Sequence, residues 1–211
     1  MANYSCKENA GRNISQGEIH YNIEYSGKVG SLSLKPRNLI VSFKDNKILF
    51  DIIAPIANAG ISNLANPQKG LYEIYVNMLG KYSYACQPGE IPPGFNSMEG
   101  MQIRKTSKTT EICGFHCRNA EVTFTGNKEK VYSIWYTNEI KVKNPNAITP
   151  FSEIDGVLMS FFYFLGDTEL HFEAENVYKK EIPDNAFDKK EKFVPVSRET
   201  MNNLILEMIN F

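Results

Sequence analysis

Apolar and polar residues alternate with a period of two along much of this chain. Residues 18–25 set Ile19, Tyr21, Ile23 and Tyr25 on one side and Glu18, His20, Asn22 and Glu24 on the other. That is the pattern of a strand with one face on a core and one in water. Residues 118–125 repeat it, with Ala120, Val122 and Phe124 opposed to Glu121, Thr123 and Thr125. Thr125-Gly126-Asn127-Lys128 then supplies turn chemistry, because Gly and Asn tolerate positive φ. Residues 131–137 resume as a strand carrying Trp135, the only tryptophan. Together, residues 109–140 read as two long strands joined by that turn.

The same reasoning predicts hairpins at 39–44 with 48–53, about Asp45-Asn46, and at 71–77 with 81–86, about Leu79-Gly80. Residues 101–106 read as a further strand. Residues 157–164 are apolar on both faces, which places that strand centrally with something over it. Residues 169–177 alternate again, with Leu170, Phe172 and Ala174 inward and Glu169, His171, Glu173 and Glu175 outward. At the C-terminus the period changes. Met201, Leu204, Ile205, Met208 and Ile209 recur at three and four behind Ser197, a good N-cap, with Glu199 in the first turn. This predicts a helix that covers the sheet.

Between these elements, residues 54–67 read as a surface loop with a short helical turn, or as a lid over an apolar cavity. Residues 87–100 and 144–150 read as loops, and 1–16 as a disordered tether. The fold class expected is mainly β: one large antiparallel sheet, curled or partly closed, with a C-terminal helix and loops over one face. Residues 17–211 are expected as a single domain.

Composition narrows the functional classes. The net charge of −1 gives no electrostatic reason to expect nucleic acid. No apolar run reaches the roughly 18 residues of a spanning helix, so a membrane is expected only through a lipid on Cys6, where an acylated cysteine would sit before a polar tract. No phosphate loop, nucleophile elbow or HExxH is present, and no cofactor is expected. His20 and His171 fall on polar strand faces. His116 lies between Cys113 and Cys117, but a structural zinc site needs four ligands and no second cluster completes it. Cys86, Cys113 and Cys117 read equally as buried free thiols or as holding a local Cys113–Cys117 disulfide.

The stretch Ile112-Cys113-Gly114-Phe115-His116-Cys117-Arg118-Asn119-Ala120, followed by Ile134-Trp135-Tyr136-Thr137 and Glu139-Ile140, resembles the I-x-G-Y-x-C-x-x-A … W-Y-T-x-x-I pattern of secreted bacterial GLPGLI-related proteins. Ala174-Glu175-Asn176-Val177, Phe187 and Pro195-Val196-Ser197 resemble that family's tail. Phe115 stands where the pattern has Tyr, and Ile154-Asp155-Gly156-Val157 stands near the place of its Gly-Leu-Pro block. The family is similar in fold to the lipoprotein carriers LolA and LolB. The resemblance implies a half-open antiparallel β-barrel, strongly curved, with a helix or lid on its concave side and a cell-envelope location, either periplasmic or as an outer-membrane lipoprotein. It brings no catalytic residues.

The function expected is therefore non-enzymatic binding of an apolar ligand, an acyl chain or a lipoprotein's lipid, in the half-barrel. Phe43, Phe50, Tyr72, Tyr84, Trp135, Met159, Phe161 and Phe172 are its candidate lining. The same residues serve equally as a closed core. The alternative function is a surface-anchored structural or protein-interaction module with a filled interior, which binds through aromatics of the 87–100 loop or an uncovered sheet edge.

Overall fold

The computed structural model describes residues 13–26, 35–54 and 59–210. Cys6 lies outside them, as do residues 55–58 of the expected lid. Twelve strands form one sheet in the order β12-β6-β5-β4-β3-β2-β1-β11-β10-β9-β8-β7. They are β1 (Gln16–Ser26), β2 (Asn38–Lys44), β3 (Lys47–Ile53), β4 (Gly60–Asn66), β5 (Leu71–Asn77), β6 (Lys81–Ala85), β7 (Met101–Ile112), β8 (Phe115–Phe124), β9 (Asn127–Thr137), β10 (Val157–Leu165), β11 (Thr168–Tyr178) and β12 (Val194–Pro195). All neighbours are antiparallel except β12 on β6. The sheet is curved and not closed, and among the described residues the one α-helix is α1 (Arg198–Asn210).

Helix α1 shows how strongly the sheet curls. It touches β5, β6 and β10. β5 and β10 stand six strand spacings apart in the sheet, ~29 Å on a flat surface at ~4.8 Å per strand. A helix is only ~10 Å across, so the sheet must bend around it. Met201, Ile205, Met208 and Ile209 are the buried stripe that faces inward. Ser197 Oγ accepts the Thr200 N–H at 3.2 Å, the expected N-cap. At the other end Lys35 Nζ donates to the Ile209 carbonyl at 2.5 Å, which satisfies one of the carbonyls a helix end leaves open.

Several expectations shift. Residues 60–66 were predicted as loop but form β4, in full register with β3 and β5. Pro67 opens a 3-10 turn, Pro67–Lys69. Strand β7 runs to Ile112, so Thr109–Ile112 pairs with β8 across a two-residue turn, Cys113-Gly114. Both turn residues have positive φ, 51° and 78°, as a tight hairpin with native strand twist requires. The local Cys113–Cys117 disulfide is not formed, and Cys86, Cys113 and Cys117 are buried. The N-terminal boundary also moves. Ile14 is 4% exposed and bridges Ile140, so residues 13–16 belong to the fold and not to a tether.

The 87–100 loop turns inward. Phe95, its one aromatic, is buried edge-to-face on Tyr163 at 4.7 Å. Gly94 makes this possible. Its φ is +90°, and a Cβ there would lie 2.6 Å from Ile205 Cγ2, so only glycine lets the loop meet α1. Its N–H donates to Asn202 Oδ1 at 3.0 Å. The aromatics expected to carry binding in this loop are therefore core.

After β11 the chain crosses the other face of the sheet. Ile182 and Phe187 cover Leu49, Leu64 and Tyr75 in a second apolar cluster. We call residues 179–193 the strap. Its carboxylates and lysines pair with the sheet and with the turn between β4 and β5: Asp184 with Lys47 at 2.6 Å, Asp188 with Lys69 at 2.7 Å, Lys189 with Glu73 at 2.7 Å. The chain then pairs briefly at the edge as β12 and enters α1. The face under α1 is the inner face, that under the strap the outer.

Two predictions follow from this packing. Ile205→Ala removes a side chain held between the loop and the sheet, and should lower unfolding free energy by ~2–5 kcal/mol in a denaturant titration. Burial pushes the thiols of Cys86 and Cys117 up to about 12. A Cys6→Ser variant should therefore show no fast reaction with Ellman's reagent at pH 8 until denaturant is added. Because the folded state holds these protons above the pH at which the unfolded thiols lose them, stability should fall as pH rises from about 9 toward 12.

Candidate functional site

The inner face is where the candidate ligand-lining residues were expected to meet. Phe43, Phe50, Met159, Phe161 and Phe172 are all buried in one apolar cluster, and Tyr72, Tyr84 and Trp135 pack half-buried against it. Phe161 stacks on Phe172 at 4.7 Å with 7° between the rings, and meets Tyr21 edge-on at 5.7 Å. Tyr21 is itself buried and donates to the Leu158 carbonyl at 2.7 Å. A cavity of ≈ 30 Å³ lies among Leu39, Phe50, Ile61, Phe95, Tyr163 and Ile205. Only Phe50 of the eight candidates lines it. Sites for small molecules usually run to ~300–1,000 Å³.

Titratable groups do not gather there. Among the described residues, no three His, Cys, Asp or Glu side chains are placed to hold a metal. His20 and His171 lie on the outer face, each beside a glutamate of its own strand, Glu18 at 3.2 Å and Glu169 at 2.7 Å. His116 is exposed, and its backbone N–H donates to Glu139. The nearest thiols donate to main-chain carbonyls: Cys113 to Ala174 at 3.2 Å and Cys117 to Phe115 at 3.4 Å.

A larger opening lies on the outer face. Where β3, β4 and β5 end beside the strap, Asp51, Ile53, Gly60, Ser62, Tyr75, Asn77, Lys190 and Phe193 line a half-open groove of ≈ 220 Å³. Register builds it. Ile53 pairs with Gly60 and Gly60 with Asn77; Asp51 pairs with Ser62 and Ser62 with Tyr75. These paired residues share one face of the pleat. A Cβ on Gly60 would stand 2.6 Å from the Ile52 carbonyl oxygen, so glycine alone lets the strands close at this corner.

The strap supplies the far wall. Phe193 meets Tyr75 edge-on at 4.9 Å. Lys190 Nζ donates to Ser62 Oγ at 2.7 Å and stands 3.5 Å from Asp51. The Lys190 backbone N–H donates to the Tyr75 hydroxyl at 3.1 Å. Burial, with Glu73 adding to it, pushes the Tyr75 hydroxyl up, so it stays a neutral phenol. The groove thus has an apolar wall of Ile53, Phe193 and the Tyr75 ring, and a floor of donors and acceptors whose opposite charges face each other. Sequence reasoning missed it. Its only trace was the outward alternation of β3 and β5, and Lys190 is 128 residues from Ser62.

No family model matches the chain, and no curated protein matches it. Its fold is similar to that of PNGF-II in two crystal forms. The likeness has a TM-score of 0.56 in the C2 form and 0.57 in the P21 form, at 17% identity. It covers 92% of this chain and 33–34% of PNGF-II, so the chain spans about a third of the length of that protein. The resemblance to the lipoprotein carriers rests on short sequence blocks: residues 112–120 and 134–140, the tail motifs and Ile19-His20-Tyr21.

Proposed function

We propose that this chain is a non-enzymatic protein-interaction module whose sheet encloses a core of its own side chains and which binds through its outer surface. The observation that carries this reading is that Met201, Ile205 and Phe95 lie buried against the inner face, with a cavity of ≈ 30 Å³ beside them. Helix α1 and Phe95 cover the inner face, the side on which the resemblance to the carriers would place a ligand.

An acyl ligand, the function implied by the resemblance to lipoprotein carriers, would have to displace α1. That would expose Met201, Ile205, Met208 and Ile209, a loss of ~6–12 kcal/mol at about 1.5–3 kcal/mol for each large side chain. At ~0.8 kcal/mol per methylene, about eight to fifteen fully buried methylenes would be needed to offset it.

Titration with palmitate below its micellar concentration, and with a short diacylated lipopeptide, tests the reading through Trp135 fluorescence. Emission should stay unchanged across the titration. A saturable change with either ligand would overturn the filled-core module and return the chain to the carriers.

A further inference from the structure

We infer that the strap is an acid-released latch: it lifts off the outer face as a unit of its own when its ion pairs lose their carboxylate charge, while the sheet and α1 stay folded. The latch acts whether or not the chain binds a partner.

The way the strap is attached allows it to open separately. Ile182 and Phe187 pack on Leu49, Leu64 and Tyr75, a cluster apart from the main core. Residues 182–190 join no strand ladder. Side chains of the sheet hold their main chain instead. Lys44 Nζ donates to the Ile182 carbonyl at 3.0 Å, Asn66 Nδ2 donates to the Phe187 carbonyl, and the Lys190 N–H donates to the Tyr75 hydroxyl. The ends are tied elsewhere, by β11 before the strap and by β12 and α1 after it. A segment with few apolar contacts and no ladder opens at lower cost than the strands beneath it.

Charge supplies the trigger. Asp184 faces Lys44 at 3.2 Å and Lys47 at 2.6 Å, Asp188 faces Lys69, Lys189 faces Glu73, and Lys190 faces Asp51. Lys81 stands over the Phe193 ring, and the Tyr75 phenol is neutral. Once the four carboxylates are protonated, only lysines carry charge at these contacts, on the strap and on the sheet alike. Lys47 is affected most. Its side chain is 8% exposed and its ammonium stands over the Phe187 ring. Without Asp184 it is a buried cation that only a lifted strap returns to water. Lys47, with Lys44 beside it, holds the Asp184 carboxyl below the usual carboxylate range. The closed strap is therefore fully favoured above about pH 4, and that preference is lost as pH falls through the lowered value.

Hydrogen exchange of the whole 15N-labelled chain, read by NMR as protection factors from pH 7 to pH 3, tests the latch. The Lys190 amide, bonded to Tyr75, reports the closed strap, and the amides of β1 and β11 report the sheet. Protection at Lys190 should fall about tenfold or more below pH 4 while β1 and β11 keep theirs. Asp184→Asn changes an exposed side chain and should lower Lys190 protection by about threefold or more at pH 7. Lys47→Met replaces the buried ammonium with an apolar chain of similar length and should blunt the fall in acid. Strap and sheet losing protection together would overturn the inference, as would a Lys190 amide indifferent to pH. So would a Lys47→Met variant as acid-sensitive as the parent, since the buried pair would then not be the trigger.

Discussion

The structure depends on one constraint: an open, curled sheet has an apolar inner face that something must cover. A closed barrel would do this with its own strands. Here the order ends in β12 at one edge and β7 at the other, and the edges do not join. The covering is done by α1, by Phe95 and Met98 of the 87–100 loop, and by Ile148, Phe151 and Ile154 of the segment before β10. All of these are the chain's own residues. They join the sheet's inward side chains in one buried apolar cluster.

The C-terminal segment serves both faces in turn. The strap seals Leu49, Leu64 and Tyr75 on the outside, β12 passes the edge, and α1 fills the inside. Its ion pairs contribute little energy one by one, since most of their partners meet water. Their effect is positional. Lys47 is nearly buried, with 8% of its side chain exposed, and the Asp184 carboxylate stands at its ammonium group. Asn66 Nδ2 donates to the Phe187 carbonyl at 2.9 Å, which fixes the strap where its aromatic ring enters the sheet. A strap held in one register is also what gives the outer groove a fixed wall.

Most of the strands were legible because each carries its own alternation. β1 and β11 show it cleanly, and β10 showed by its doubled apolar pattern that it is covered on both faces. β4 was hidden. Gly60, Ser62, Asn63 and Asn66 are poor strand formers, and the strand exists because β3 and β5 pair with it on both sides. The inward turn of the 87–100 loop was hidden for a related reason: its Pro and Gly content describes what it cannot be, whereas Phe95 is placed by a contact with Tyr163, 68 residues on. Of the residues expected at a ligand, Phe43, Phe50, Met159, Phe161 and Phe172 are buried, but a side chain that lines a cavity and one that fills it have the same sequence pattern. Only the position of α1 separates them. The groove lay beyond reach altogether, because it joins strand ends to a segment far along the chain.

An exposed sheet edge is the other place where such a module could bind, by accepting a partner's strand. Both edges resist it. β7 carries Arg104, Lys105 and Lys108, and its register breaks between Lys105 and Thr109. Charged side chains and a bulge are the usual means by which an edge refuses a further strand. Glu121 draws Arg104 and Lys108 across the face of β8, so these cations are held in place along the edge. At the opposite edge β12 is two residues long and includes Pro195, which has no N–H to offer. Strand addition is thus opposed at each end of the sheet by local chemistry. Away from the edges, Ile53 and Leu79 are exposed near the end of β5, on the side of the sheet that the strap and Phe193 share.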